Sequence, residues 1–433
     1  MGLRVSWYTL AGVAAVGILC LSRTGLGAGT QDPSVQERIE QLEKQVAELR
    51  TAPPEVQPTV PKEAPAKKSV WSNLDIQFYG YVKADAARDS SRTYPGNFVL
   101  YVDSEATNHD DAEFNLTANQ TRLGFDISGP ESETMKTSGK IEFDFYGNYA
   151  SENKAKIQMR HAYMTFAWPQ LDLALLAGQA SDVVSPLVPT TLNYTVLWDA
   201  GNIGYRRPQL RLTKNLSLGD KTSMKFEGAV ARTIGRADPT KSESGEDAGF
   251  PTVQGRVSMT FPFVGPKPVV LGFSGHKGRE EYDLDPNGTN MDFDTWSVCL
   301  DATVPVSKCF TVLGELFTGE NLDTYFGGIG QGVNTTARKE IRSKGAWVAA
   351  SLKSSSKWTF NVGAGVDDVD ADDVDPGASG GARTLNSSVF GNVIYSWTKH
   401  AQVGFEVSRW NTHYKGQGDA DDTRAQLSFI YAF

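Results

Sequence analysis

Three features of this 433-residue sequence predict an all-β transmembrane barrel of about sixteen antiparallel strands, with a short α-helical coiled coil ahead of it. First, the chain closes on Arg424-Ala-Gln-Leu-Ser-Phe-Ile-Tyr-Ala-Phe433, where Leu427, Phe429, Tyr431 and Phe433 share one face and Arg424, Gln426 and Ser428 the other. A last strand of this kind must find a partner in the first, because lipid tolerates no unpaired sheet edge. Second, from Ile76 onward segments of about ten residues alternate apolar and polar side chains, joined in turn by tight and by long connections. Third, only 40% of the chain is hydrophobic, and beyond the N-terminus no apolar run is long enough to cross a bilayer as a helix. Strand alternation reconciles that composition with a membrane, since lipid-facing and lumen-facing residues average to a soluble-looking hydropathy. A soluble sandwich or propeller is the rival fold, and it gives no reason for short and long connections to alternate.

The formal net charge of -9, without any Lys/Arg block, argues against nucleic acid as a partner. Of the three Cys, Cys20 lies near the N-terminus, and Cys299 and Cys309 flank a turn at Pro305-Val306-Ser307-Lys308 at unequal distances. Strand rise puts those two roughly 15–20 Å apart, whereas disulfide Cα atoms lie about 4.4–6.8 Å apart. No bridge is expected.

Residues 1–28 read as a secretory signal: Arg4, an apolar core from Val5 to Leu21, then small residues at Gly25, Gly27, Ala28 and Gly29. An uncleaved anchor helix is the alternative. Residues 33–51 carry Val35, Ile39, Leu42, Val46 and Leu49 at heptad spacing, with Arg38 and Glu43 flanking the seam. So short a helix is marginal alone, so its partner number is set by whatever it is attached to. A single amphipathic helix on the barrel or cell wall is the plainer reading. Residues 52–70 form a Pro-rich, extended spacer, and residues 71–433 form the barrel.

The strands are expected at Ile76–Ala87, Thr121–Ser128, Lys140–Tyr146, Ile157–Trp168, Leu171–Ser181, Gln209–Leu218, Thr222–Arg232 and Thr252–Phe261. Val269–Gly278, Phe293–Val304, Cys309–Thr318, Ala346–Leu352, Trp358–Asp367, Thr384–Trp397, Ala401–Trp410 and Thr423–Phe433 complete the set. An even number with both ends on one side closes a barrel. Short turns such as Pro169-Gln170 and Gly219-Asp220 then face the periplasm, and the long acidic loops face outward.

This order of parts resembles the DcaP-like trimeric outer-membrane porins and, less closely, the phosphate-selective porins. The residues that carry it are Phe78-Tyr79-Gly80-Tyr81-Val82-Lys83-Ala84-Asp85, Asn119-Gln120-Thr121-Arg122-Leu123-Gly124-Phe125 and the terminal Phe433. The resemblance implies a homotrimer with a periplasmic coiled coil in the bacterial outer membrane. It also implies passive uptake of small anionic solutes, dicarboxylates among them, without cofactor or enzymatic step. Outer-membrane lipids, lipopolysaccharide and, through the coiled coil, the cell wall would be its neighbours. Two other functions stay open: a structural barrel tethering the membrane to the cell wall, and a barrel-embedded hydrolase with a Ser–His pair on its rim.

Lumen-face alternation brings Lys83, Arg122, Arg211 and Arg256 to similar heights, which predicts a basic ring that draws anions. A lipid-facing Arg or Lys near the midplane would cost roughly 2–4 kcal/mol. The alternative is a set of lumen charges neutralised by Asp85, Glu142, Asp144, Glu227, Asp301 and Glu315. Strict alternation puts Arg160 outside and His161 in the lumen; a bulge would reverse this. By resemblance, Pro186–Pro208 is the constriction loop, with Asn193, Tyr194, Asp199, Arg206 and Arg207 lining the narrowest section. Asp283, Asp285, Asn287 and Asp294, with Gly288, space oxygens as calcium loops do, although Asp replaces the usual final Glu and no helices flank it. Val369–Asp375, preceded by Asp367-Asp368, is a second acidic loop. The five His show no metal spacing.

Overall fold

The computed structural model describes residues 74–433 apart from 110, 148–153, 236–243, 264, 266, 284–289 and 378–380. The predicted signal, coiled coil and spacer lie outside the described residues. The barrel strands are β1 (Asp75–Asp89), β2 (Glu113–Thr117 continued by Arg122–Glu131), β3 (Lys136–Asp144), β4 (Gln158–Trp168), β5 (Leu173–Ser181), β6 (Arg206–Ser217), β7 (Ser223–Ala231) and β8 (Thr252–Phe261). They continue as β9 (Val269–Asp283), β10 (Asn290–Pro305), β11 (Phe310–Glu320), β12 (Arg342–Lys353), β13 (Trp358–Val369), β14 (Arg383–Ser396), β15 (Ala401–Tyr414) and β16 (Ala420–Ala432). The sheet is formally 17-stranded, but both pieces of β2 pair with β1, one above the other, so the barrel has sixteen staves.

Closure follows from the two terminal strands. β16 pairs with β1 from Tyr81↔Ala432 to Arg88↔Ala425. Below that register Phe433 N–H donates to Gly80 O (3.0 Å), and Gly80 N–H donates back to Phe433 O (3.2 Å). Phe433 also stacks on Phe78 with ring centroids 5.2 Å apart. Gly80 is required here: its φ is +155°, and a Cβ would meet Arg122 O at 2.3 Å.

The burial pattern is inverted relative to a soluble protein. Phe78, Val82, Leu210, Phe273, Leu300, Phe405, Phe429 and Tyr431 are exposed on the outer face, while Asp85, Gln209, Ser274, Asp301, Glu406, Arg424 and Ser428 are buried inside. Apolar side chains turned out and polar ones turned in suit hydrocarbon outside and water within. No helix among the described residues is long and apolar enough to cross a membrane. Cys299 is buried, Cys309 is exposed, and both are free thiols.

Of the outward loops 90–112, 182–205 and 321–341, here L1, L3 and L6, the first and last depart from the expectation of outward-facing loops, while L3 turns inward as expected of a constriction loop. All three turn into the lumen and pack on one another. Phe98 and Leu100 from L1, Tyr146 beyond β3, Tyr194 and Trp198 from L3, and Phe326 from L6 form one buried cluster. Trp198 and Phe326 stack at 4.5 Å, and Phe98 meets Tyr146 edge-on at 5.0 Å. Apolar burial therefore holds these loops together inside a polar barrel.

Candidate functional site

L3 follows the inner wall. Val183 N–H donates to Gln254 on β8, Ser185 N–H to Ser274 on β9, and Leu187 N–H to Glu315 on β11. Farther round, Thr190 O accepts from Asn392 on β14, and Leu192 N–H donates to Glu406 on β15 at 2.6 Å. Tyr194 then reaches Asp144 on β3 at 3.1 Å. Burial raises the pKa of the Tyr194 hydroxyl, most strongly among its influences, so it stays protonated and donates. The loop returns through Trp198 and Asp199 against L6. From Val183 to Leu192 each step satisfies a backbone group that the low-dielectric interior would otherwise leave unpaired.

The sector near β2, β4 and β5 is left open. A cavity of about 330 Å³ lies there, bounded by Tyr81, Gln120, Arg122, Arg160 and Arg206 on one side and by L3 on the other. Arg160 owes its place to a β-bulge. Glu142 pairs with His161 but Phe143 pairs with Met159, so Arg160 is the extra residue. Strict alternation would put Arg160 in lipid. The bulge turns it inward, where Nε meets Glu142 at 2.7 Å and Nη1 meets Asp144 at 2.8 Å. His161 also faces Glu142, at 3.9 Å. Arg122 Nε is 3.7 Å from Glu142, and its guanidinium lies over the Tyr81 ring at 5.5 Å.

Arg206 differs from these in having no carboxylate partner among the described residues. It is 6% exposed, and its Nε and Nη2 have no hydrogen-bond partner among the described residues. Its guanidinium stacks on Tyr205 at 4.2 Å and lies 5.9 Å from the Trp198 ring. Stacking desolvates a cation without neutralising it.

The predicted basic ring is divided by L3. Lys83 is sealed beneath the loop, with Nζ donating to Gln120 Oε1 (2.5 Å) and Leu192 O (2.7 Å) and lying 3.2 Å from Asp85. Arg256 is committed to Asp301 through two bonds of 3.1 and 2.6 Å and reaches Glu227 at 3.5 Å. Arg122 and Arg211 remain partly open, Arg211 donating only to Ser181 O at 3.4 Å.

Of the predicted constriction residues, Tyr194 and Arg206 line the cavity and the other three do not. Asn193 N–H is bound to Glu406 at 3.1 Å. Asp199 is buried against L6, where its Oδ1 accepts from Gly330 N–H at 3.1 Å. Burial pushes the Asp199 carboxyl up to about 7, against the pull of Arg383 and that N–H. Arg207 is locked to Asp182 at 2.8 Å with its guanidinium over Tyr325. Charges placed where loops pack must find partners rather than solute.

Asp285 and Asn287 of the calcium-like spacing lie outside the described residues. Asp294 sits within β10, paired to Lys277 at 2.6 Å, and Asp283 pairs with Asn290 at the strand ends. In the second acidic loop Asp373 meets Arg342 at 2.7 Å, and Asp368 meets Lys344 at 3.3 Å. Among the described residues no cluster of three or more His, Cys, Asp or Glu is placed to hold a metal. His276 contacts Ser297 (2.7 Å) and Thr295 (2.9 Å), but all three are buried, with Tyr325 stacked on the imidazole at 4.0 Å.

Residues 60–231 match the family model for the DcaP outer membrane protein. No curated protein sequence matches. Among solved structures, the DcaP outer membrane channel of Acinetobacter baumannii superposes with a TM-score of 0.66 at 19% identity, covering 83% of this chain and 97% of that one. The anion-selective porin of Comamonas acidovorans gives 0.53 at 13% identity, covering 83% and 100%. OmpT of Vibrio cholerae gives 0.51 at 10% identity, covering 84% and 98%. At these identities the structural matches speak to the fold, and the family match to the sequence. Together with the inverted burial pattern they show a β-barrel of the bacterial outer membrane, similar to the DcaP outer membrane protein.

Proposed function

We propose that the chain forms a water-filled channel for passive diffusion of small anions, working as a homotrimer. The observation that carries the anion reading is the charge balance at the open sector. Arg122, Arg160 and Arg206 face it, while Glu142 and Asp144 are the carboxylates that answer them. Asp182 also borders the cavity but is taken by Arg207. One guanidinium is left in excess, desolvated enough to attract an anion that enters the cavity it lines. Diffusion needs no bond chemistry, and the attraction must be weak enough for release. The heptad at Val35, Ile39, Leu42, Val46 and Leu49 supports assembly, and the DcaP likeness supports three copies.

Zero-current potentials across a KCl gradient test the reading: chloride should be preferred, and Arg206→Gln should shift the potential toward potassium. Potassium preference in the unmodified protein would reject it. Triplet conductance steps test the trimer.

A further inference from the structure

The cavity beside Arg206 has a second property that simple anion passage does not use. Part of its L3 wall is apolar: Leu187, Val188 and Val196 line it, beside Ser185 and Asn202. Val188 is 56% exposed, although it lies inside the lumen rather than on the lipid face. Exposed apolar surface facing water in a built cleft marks a place where an apolar group docks. Opposite it stands one unpaired cation, since Arg160 is held by Glu142 and Asp144 and Arg122 leans toward Glu142.

We infer that this cavity is a binding subsite for an amphipathic monoanion, a carboxylate on a hydrocarbon body, with Arg206 holding the carboxylate and the Leu187–Val188 wall holding the body. The inference rests on the anion-channel reading above and narrows it. A second carboxylate on the solute would have to compete with Glu142 for Arg122 or lie against Val188, and would lose hydration there. The volume of about 330 Å³ equals about ten water-sized groups at roughly 30 Å³ each, so a solute of about ten heavy atoms fills it. The planar guanidinium, stacked on Tyr205 and with its buried Nε and Nη2 unsatisfied, stands beside the cavity as a cation with unmet donors.

Hexanoate and succinate have equal numbers of heavy atoms and differ in the second carboxylate, so they separate the two properties. The full chain in planar bilayers, carrying chloride current, is titrated with each. Hexanoate should block at a concentration about tenfold below that of succinate, the gain supplied by burying about two methylene groups. Arg206→Gln should raise the hexanoate half-block concentration by about tenfold or more, and Arg206→Lys should restore part of it. Val188→Ser should weaken hexanoate block and leave the succinate value where it was. Equal block by the two acids, or unchanged hexanoate block in Arg206→Gln, would overturn the subsite while leaving an anion-selective channel standing. Potassium preference in the unmodified protein would instead remove the reading beneath it.

Discussion

Glu406 on β15 accepts three hydrogen bonds that fix the far end of L3: from Leu192 N–H (2.6 Å), Asn193 N–H (3.1 Å) and Asn392 Nδ2 (2.9 Å). Glu406→Ala removes the acceptor and leaves two buried backbone N–H groups without partners. Each unmade buried bond costs about 1–3 kcal/mol, so the pair costs about 2–6 kcal/mol. The loss falls on L3 rather than the barrel, because the Glu406 backbone keeps its place in the ladder between β14 and β16 whatever its side chain. The second clamp, Glu315 with Ser185 Oγ (2.8 Å) and Leu187 N–H (2.7 Å), stays in place. The far end of the loop should therefore open while its root holds. At the lower end of the range, amide exchange at Leu192 and Asn193 should speed up roughly thirtyfold. Single-channel records should show larger, noisier conductance with an unchanged thermal transition. Glu406→Gln, which keeps one acceptor oxygen, should fall between. Unaltered exchange and unaltered noise in Glu406→Ala would refute the claim that wall carboxylates hold the loop.

Three further outcomes follow. In Arg160→Ala the carboxylates of Glu142 and Asp144 lose their shared cation; removing one partner of a buried pair costs about 3–5 kcal/mol, and zero-current potentials should move toward cations. Asp199, with its carboxyl pushed to about 7, stabilises the L3–L6 contact fully below its unfolded value near 4, and that contribution is lost as pH rises through about 7. Each pH unit between the two removes up to about 1.4 kcal/mol, so protection in L6, corrected for the intrinsic rise of amide exchange with pH, should fall from pH 5 to 8 in the parent and stay flat in Asp199→Asn. Deleting Phe433 removes both backbone bonds to Gly80 and the stack on Phe78, and should lower the yield of heat-resistant barrel on gels.

The barrel was legible because period-two alternation is a property of single residues and survives without knowledge of neighbours. Every segment expected from Ile76 to Phe433 overlaps a strand. The site was less so. Arg160 defied alternation because the bulge lies in the pairing of Glu142 and Phe143 with β4, a relation between two strands that neither sequence carries alone. The inward turn of L1 and L6 did have a signal: Phe98, Leu100, Leu322, Tyr325, Phe326 and Ile329 are apolar residues in stretches taken as solvated loops, and all are buried. The Gly328-Ile329-Gly330 run, with φ of +65°, +53° and +65°, makes the tight bend that brings Gly330 N–H to Asp199.

The fate of the predicted ring follows from the path of L3. A charged side chain on a bare lumen wall keeps its water and can meet a passing ion; once a loop covers it, desolvation forces it to take a partner. Lys83 follows that rule, bound beneath Leu192, whereas Arg256 is taken by Asp301 on the barrel wall itself. Arg122, Arg160 and Arg206 line the sector that L3 leaves uncovered, and Arg211 lies partly open above β5. Selectivity is therefore set by coverage as much as by charge: moving L3 by one anchor would change which cations a solute meets without altering any of them. Glu315→Ala, which frees the root of the loop near Leu187, should accordingly shift ion preference more than its own lost negative charge accounts for. Equal shifts in Glu315→Gln and Glu315→Ala would show that charge alone is at work.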